Sequence, residues 1–230
     1  MKKIIGLFVL LALLSCSGST IKKSKADCSN SALYGYVTIC LPAIDGMTEC
    51  RSHPNVQKVV EPYLASGPVL GYYLNNETYK QIDRLGEISY NDYFMIYGDY
   101  QRENYTAQEA DLEYFQKELE QTLFEGTNFE AISSKVEESY GTITAGKPAL
   151  IERYSPRPGV RTLIVLMKYK NKNSADGAET ETSVISAVDF ILVKQRAINL
   201  VYYLVYDGGK SIDALKDKNN AILDKLFAIN

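Results

Sequence analysis

Apolar positions fall into three patterns along this chain. The first is an unbroken apolar and glycine run, Ile4 to Leu14, directly behind Lys2 and Lys3. The second is helical. Val56, Val59, Val60, Tyr63 and Leu64 recur at i, i+3, i+4, i+7 and i+8, and Ser52 and Pro54 suit the start of such a helix. Pro62 conflicts with that stripe and should kink the helix or end it early. A second helix is expected from Thr106. Thr106-Ala107-Gln108-Glu109 has the form of a capping box, Leu112, Phe115, Leu119 and Leu123 share a face, and Gly126 stands where the helix would close. The third pattern is strand-like. It covers Leu33 to Leu41, which ends at Pro42, then Val69 to Leu74 before the turn signal Asn75-Asn76, Tyr93 to Tyr97, and Ala149 to Tyr154. Residues 128–140 are ambiguous between a helical turn and an extended segment.

The C-terminal third decides the architecture. Val160 to Tyr169, Val184 to Val193 and Ile198 to Val205 are apolar at successive positions, so both faces of these strands must be covered. The polar link Asn171 to Thr182 and the tight link Lys194 to Ala197 make the three an antiparallel meander. A last amphipathic helix carries Ile212, Leu215, Ile222 and Leu226 on one stripe, with Lys216 to Asn220 expected to face solvent. The expected fold class is α+β: one domain built on an antiparallel sheet with helices packed on both faces.

The leader is too short to span a bilayer as a helix, which takes about 20 apolar residues. A basic start, a short apolar run and a small residue before the cut mark a secretory signal peptide over residues 1–15. Leu13-Leu14-Ser15-Cys16 resembles a bacterial lipobox, in which Cys16 is acylated and becomes the first mature residue. Residues 16–30 begin with a Gly/Ser/Lys-rich stretch without periodicity and suit a flexible tether. Two or more acyl chains give stable attachment at about 0.8 kcal/mol per buried methylene. Ser17 is not the aspartate that retains such proteins at the inner membrane, so the periplasmic face of the outer membrane is favoured. The globular domain is expected over 31–230.

Charge and cysteine usage agree with that address. The chain has 25 Lys+Arg against 28 Asp+Glu, and losing Lys2 and Lys3 with the leader leaves it more acidic still. Such a surface excludes the concentrated basic face that nucleic-acid binding requires. Cys28, Cys40 and Cys50 sit in a compartment that permits disulfides. Cys40–Cys50 is favoured, because Pro42 and Gly46 can turn the chain between them, and Cys28 paired with either is the competing arrangement. A Cys28/Cys40/Cys50/His53 metal site is disfavoured, since only Cys50 and His53 are close and oxidation would remove the thiolates. His53 is expected at the surface, at a helix start.

No catalytic set stands out. A serine hydrolase would have His53 alone as its base and no Gly-x-Ser-x-Gly elbow, and a Cys50/His53 pair competes with oxidation. Gly208-Gly209-Lys210-Ser211 looks like the end of a phosphate loop, but Leu204 stands where that loop needs glycine. It reads as a strand-to-helix turn capped by Ser211. No catalytic residue, metal or cofactor is assigned. The compositional excess is tyrosine, 18 with no Trp. Tyr90, Tyr93, Tyr97, Tyr100 and Tyr105 are crowded together, which suits half-buried strand faces. It also allows a stacking platform for a glycan or small ligand on Tyr93, Tyr97 and Tyr100.

Ile39-Cys40-Leu41-Pro42, Gly146-Lys147-Pro148-Ala149 and the span Ile198 through Leu226 resemble the PsbP/DcrB-like family, as does the order of elements over about two-thirds of the chain. The family's aromatic after the early proline is replaced here by Ala43-Ile44-Asp45. The resemblance implies an α/β/α sandwich and a non-catalytic accessory or binding role, and it transfers no functional residues. The expected function is therefore a lipid-anchored accessory domain of the bacterial envelope, with the membrane and an envelope protein as partners. A glycan or small-ligand binder using residues 90–105 is the alternative, and an envelope hydrolase the weaker one.

Overall fold

The computed structural model describes residues 28–61, 64, 66–85, 91–125, 134, 143–172 and 179–230. The expected leader, Cys16, Pro62, Tyr63, Gly126, residues 128–133 and 135–140, and Tyr90 lie outside them. At the centre are the three doubly apolar segments, now seen as Val160–Lys172 (β8), Glu179–Val193 (β9) and Arg196–Val205 (β10). They form the expected antiparallel meander, with Val160 opposite Ile191 and Arg196 opposite Val193. The β9–β10 link is a two-residue turn in which Lys194 (φ 47) and Gln195 (φ 60) both adopt left-handed backbone, matching the strand twist.

The sheet extends on both sides of this meander. Met47–Glu49 (β3), Val69–Asn75 (β4) and Tyr93–Tyr97 (β5) continue it beyond β10, in the order β3-β4-β5-β10-β9-β8. On the far edge, Ile143–Ala145 (β6) and Ala149–Tyr154 (β7) pair with successive parts of β8. Every pairing in this eight-stranded sheet is antiparallel. The expected strand Leu33–Leu41 is instead a separate hairpin, Ser31–Tyr34 (β1) and Val37–Cys40 (β2). Gly35 breaks it with φ +57, a conformation that glycine adopts without a Cβ penalty.

Helices are Pro54–Val60 (α1), Asn76–Tyr79 (α2), Glu109–Glu120 (α3) and Lys210–Ile229 (α4). α1 stops two residues before Pro62, as that proline requires. α3 starts later than the Thr106 box suggests. Ala107 N–H donates to Gln195 O at 3.0 Å and Arg196 Nη1 donates to Tyr105 O at 2.8 Å, which ties residues 105–107 to the β9–β10 turn. The cap moves to Gln108, whose N–H is accepted by the Asp111 carboxylate at 2.8 Å. A π-helical turn over Gln121–Glu125 then rephases the face, so that Leu119 and Phe124 pack on the core.

Both faces of the sheet are covered. On one, α4 and the hairpin bury Leu215, Ile222, Leu223 and Leu226, with Tyr34 and Ile39, against Ile164, Ile185, Leu200 and Tyr202. Each such aliphatic side chain contributes roughly 1.5–3 kcal/mol by leaving water. On the other, α3 places Leu112 and Phe115 over Leu163, Val188 and Val201, while α1 places Val56 and Val60 over Tyr72, Leu74 and Met95. The expected solvent face of α4 needs one correction. Asn219 is fully buried, because it lies on the helix stripe of Leu215, Ile222 and Leu226 and hydrogen-bonds within the core. The result is a single mixed α/β domain with a large antiparallel sheet.

Candidate functional site

Three contacts pin the start of the described chain. Cys28 is bonded to Cys40 (Cα–Cα 5.1 Å), Leu41 N–H donates to Asn30 O at 2.8 Å, and Cys40 exchanges two hydrogen bonds with Asn230, each 2.9 Å. The favoured Cys40–Cys50 pairing is thus corrected. Cys40 ends β2 opposite Ser31, so the hairpin itself brings Cys28 to it. Cys50 follows β3 and is buried in the core under α1, where its Sγ–H donates to Tyr72 O at 3.3 Å. Burial pushes that thiol up to about 12, with the Glu49 charge adding to the effect. His53 caps α1, its Nδ1 accepting Asn55 N–H at 3.3 Å. Cys50 and His53 therefore point to separate partners.

Beyond Cys40 the chain runs over the C-terminal half of α4. Leu41 and Pro42 are buried, and Tyr73 O–H donates to Pro42 O at 2.9 Å. Tyr73 stacks on Phe94 with ring centroids 4.1 Å apart, and Phe94 meets Tyr202 edge-on at 6.2 Å. This aromatic row lies under the 41–46 segment. Between that segment and α4 open two adjoining chambers of about 520 and 330 Å³. The larger reaches Asn30, Pro42, Tyr73 and Ile229, the smaller Asp92, Tyr202, Lys218 and Ile222. Ile44, Met47 and Lys225 line both.

The walls are mainly apolar and the charges sit at the rim in pairs. Lys225 Nζ lies 2.9 Å from Asp45 Oδ2, and its hydrogen bond and charge hold that fully exposed carboxyl below its ordinary value. Lys218 Nζ lies 2.6 Å from Asp92 Oδ2, and Tyr202 O–H donates to the other oxygen of the same carboxylate. Burial, then the Asp92 hydrogen bond and charge, push the Tyr202 phenol far above its usual range. Tyr202 therefore stays a neutral donor. Asp92 holds this bridging position in left-handed backbone (φ 59). Such a cleft offers apolar walls for burial, with its rim charges already paired to one another.

The tyrosines divide between core and surface. Tyr93 stacks on Tyr203 at 4.7 Å and on Tyr72 at 6.0 Å, and Tyr97 is half-buried between the α1 and α3 clusters. Tyr100 is 52% exposed on the turn after β5. Among the described residues these three line neither chamber. Tyr105 and Tyr114 meet Phe115 edge-on at the surface, beneath the Arg102 guanidinium. Gly208–Ser211 forms the turn into α4, where Ser211 Oγ donates to the Asp207 carboxylate. Among the described residues, no three His, Cys, Asp or Glu side chains are grouped to hold a metal ion.

One buried polar group runs against the apolar pattern of its strand. Asp189 interrupts the apolar run of β9 and is fully buried under α4. Its Oδ1 accepts from Thr162 Oγ1 at 2.6 Å and from Asn219 Nδ2 at 3.1 Å. A single Asp among apolar neighbours was the available signal. No family model, curated protein or solved structure matches this chain.

Proposed function

We propose that this chain is a lipid-anchored, non-catalytic binding domain of the bacterial envelope. It is held through Cys16 on the periplasmic face of a membrane, the outer membrane in preference to the inner, and uses the cleft against α4 to engage an envelope protein. The observation that carries this reading is the position of the cleft. Asn30 lines its larger chamber, two residues from Cys28, where the tether meets the disulfide. An anchored domain would thus present its cleft beside the point where its tether enters the fold. The PsbP/DcrB-like resemblance agrees with an accessory role, and helices on both faces of an antiparallel sheet suit that family's sandwich. The glycan or small-ligand alternative keeps a foothold in Tyr100 and Tyr105, which stand exposed beyond β5.

One experiment separates the anchor from the cleft. The full-length protein, Cys16→Ala and Ala228→Trp are compared for palmitate labelling, membrane fractionation and retention of envelope proteins. Ala228 is exposed and lines the larger chamber, so Trp would fill it. Cys16→Ala is expected to lose labelling and membrane association. Ala228→Trp is expected to stay anchored but lose the retained protein. Labelling that survives Cys16→Ala, or retention unchanged by Ala228→Trp, would contradict the corresponding half.

A further inference from the structure

The core beneath α4 contains two acceptors facing the same problem. Thr162 and Asn219 both donate to Asp189 Oδ1, which leaves Asp189 Oδ2 buried without a donor. Asn219 Oδ1, on the amide already bonded to Asp189, is likewise buried without a donor. All three side chains are fully buried. Two orphaned acceptors on paired groups are costly, and a single proton would remove both penalties.

We propose that Asp189 holds a proton on Oδ2 and donates it to Asn219 Oδ1, so that carboxyl and amide join by two hydrogen bonds into a pH-sensitive latch seating α4 on the sheet. The surroundings favour the neutral acid. Across the strands Asp189 faces Thr162 on β8 and Leu200 on β10, neither charged. From β7 come Glu152 and Tyr154, whose hydroxyl lies 3.4 Å from Asn220 Oδ1 and also meets the Thr162 and Asn219 side chains. α4 supplies Lys216, but its ammonium is 2.7 Å from the Glu152 carboxylate and sits over the Tyr154 ring at 4.6 Å. The nearby cation is therefore already matched to another anion. Burial pushes the Asp189 carboxyl up to about 7, and the Thr162 and Asn219 hydrogen bonds draw it back only in part.

The direction follows by linkage. An unfolded aspartate titrates near about 3.9, so between that pH and about 7 the folded chain keeps a proton that the unfolded chain has released. The stabilisation is complete below the unfolded value, falls as pH rises towards the folded value, and is then lost. Above it, a buried carboxylate without a cation loosens α4. Lys218, Ile222 and Lys225 of that helix line the cleft, so its seating would set the width of the cleft. This coupling rests on the cleft reading; the proton site does not.

The test compares wild type with Asp189→Asn, whose amide is neutral at every pH and can donate where the proposed proton does. Thermal unfolding and hydrogen exchange of α4 amides, corrected for intrinsic rates, are followed from pH 5 to 8. Wild type is expected to lose melting temperature relative to Asp189→Asn across this window, and its α4 amides to gain at least tenfold in corrected exchange. Asp189→Asn is expected to gain no such exchange. A wild-type/variant difference independent of pH would overturn the proposal. If the variant does not fold, the carboxyl ¹³C shift of Asp189 in wild type decides. A midpoint near neutrality supports the latch, and a carboxylate already ionised at pH 5 refutes it. Neither readout needs a cleft ligand, so failure here would leave the cleft reading standing.

Discussion

At the scale of single residues, two side chains hold the 41–46 segment in place from below and above. Tyr73 donates to the buried Pro42 carbonyl, and Asp45 meets Lys225 at the surface. The exposed pair is worth little, as solvated ion pairs are, so of these two side chains Tyr73 carries the hold, beside the backbone bonds of Leu41 and Gly46 at the ends of the segment. Tyr73→Phe keeps the ring on Phe94 but leaves the Pro42 carbonyl without its donor. The expected cost is about 1–3 kcal/mol, read from denaturant unfolding. An unchanged midpoint would mean that the segment is held by packing alone. Residue-level legibility varied for definite reasons. Asp189 was visible as a charge inside an apolar strand. Asn219 was legible too, since it falls four residues after Leu215 and three before Ile222. The surrounding lysines and aspartates hid it, because a polar residue in a polar run reads as solvated. The pairing of Cys28 with Cys40 was legible only as one of the competing arrangements, since the hairpin register is what brings the two together.

At the scale of elements, sequence pattern was most faithful where burial is continuous. β5 keeps the bounds its apolar composition predicts, β4 runs one residue past them, and the meander follows from doubly apolar strands joined by a tight turn. It failed where a tertiary contact overrode a local signal. The Thr106 box is sound chemistry, yet its backbone is bonded to the β9–β10 turn and the helix begins at Glu109. Gly35 lies inside an otherwise convincing strand and turns it into a hairpin. It combines left-handed backbone with an approach so close that a Cβ would collide with the Glu103 carbonyl. Gly35→Ala should therefore destabilise by about 1–3 kcal/mol, seen as a lower melting temperature. A neutral result would show that the hairpin and the 99–105 turn move apart without cost.

At the scale of the whole molecule, the cleft was invisible in the sequence because its walls are scattered. Asn30, Met47, Tyr73, Asp92, Tyr202 and Lys225 come together only when β4, β5 and β10 pair and α4 crosses them. The proposed leader, by contrast, is written in one contiguous string. Under the proposed function, the tether would enter the fold beside this cleft. Site-specific photo-cross-linking tests the proposed binding role of the cleft most directly. A benzophenone amino acid replaces Ala43, exposed on the rim of the larger chamber, or Asp217, exposed on α4 outside either chamber, in the full-length protein within cells. A discrete adduct from position 43, absent from 217 and abolished by Ala228→Trp, is the expected result. Equal labelling from both positions, or an adduct that survives Ala228→Trp, would contradict a binding role for the cleft.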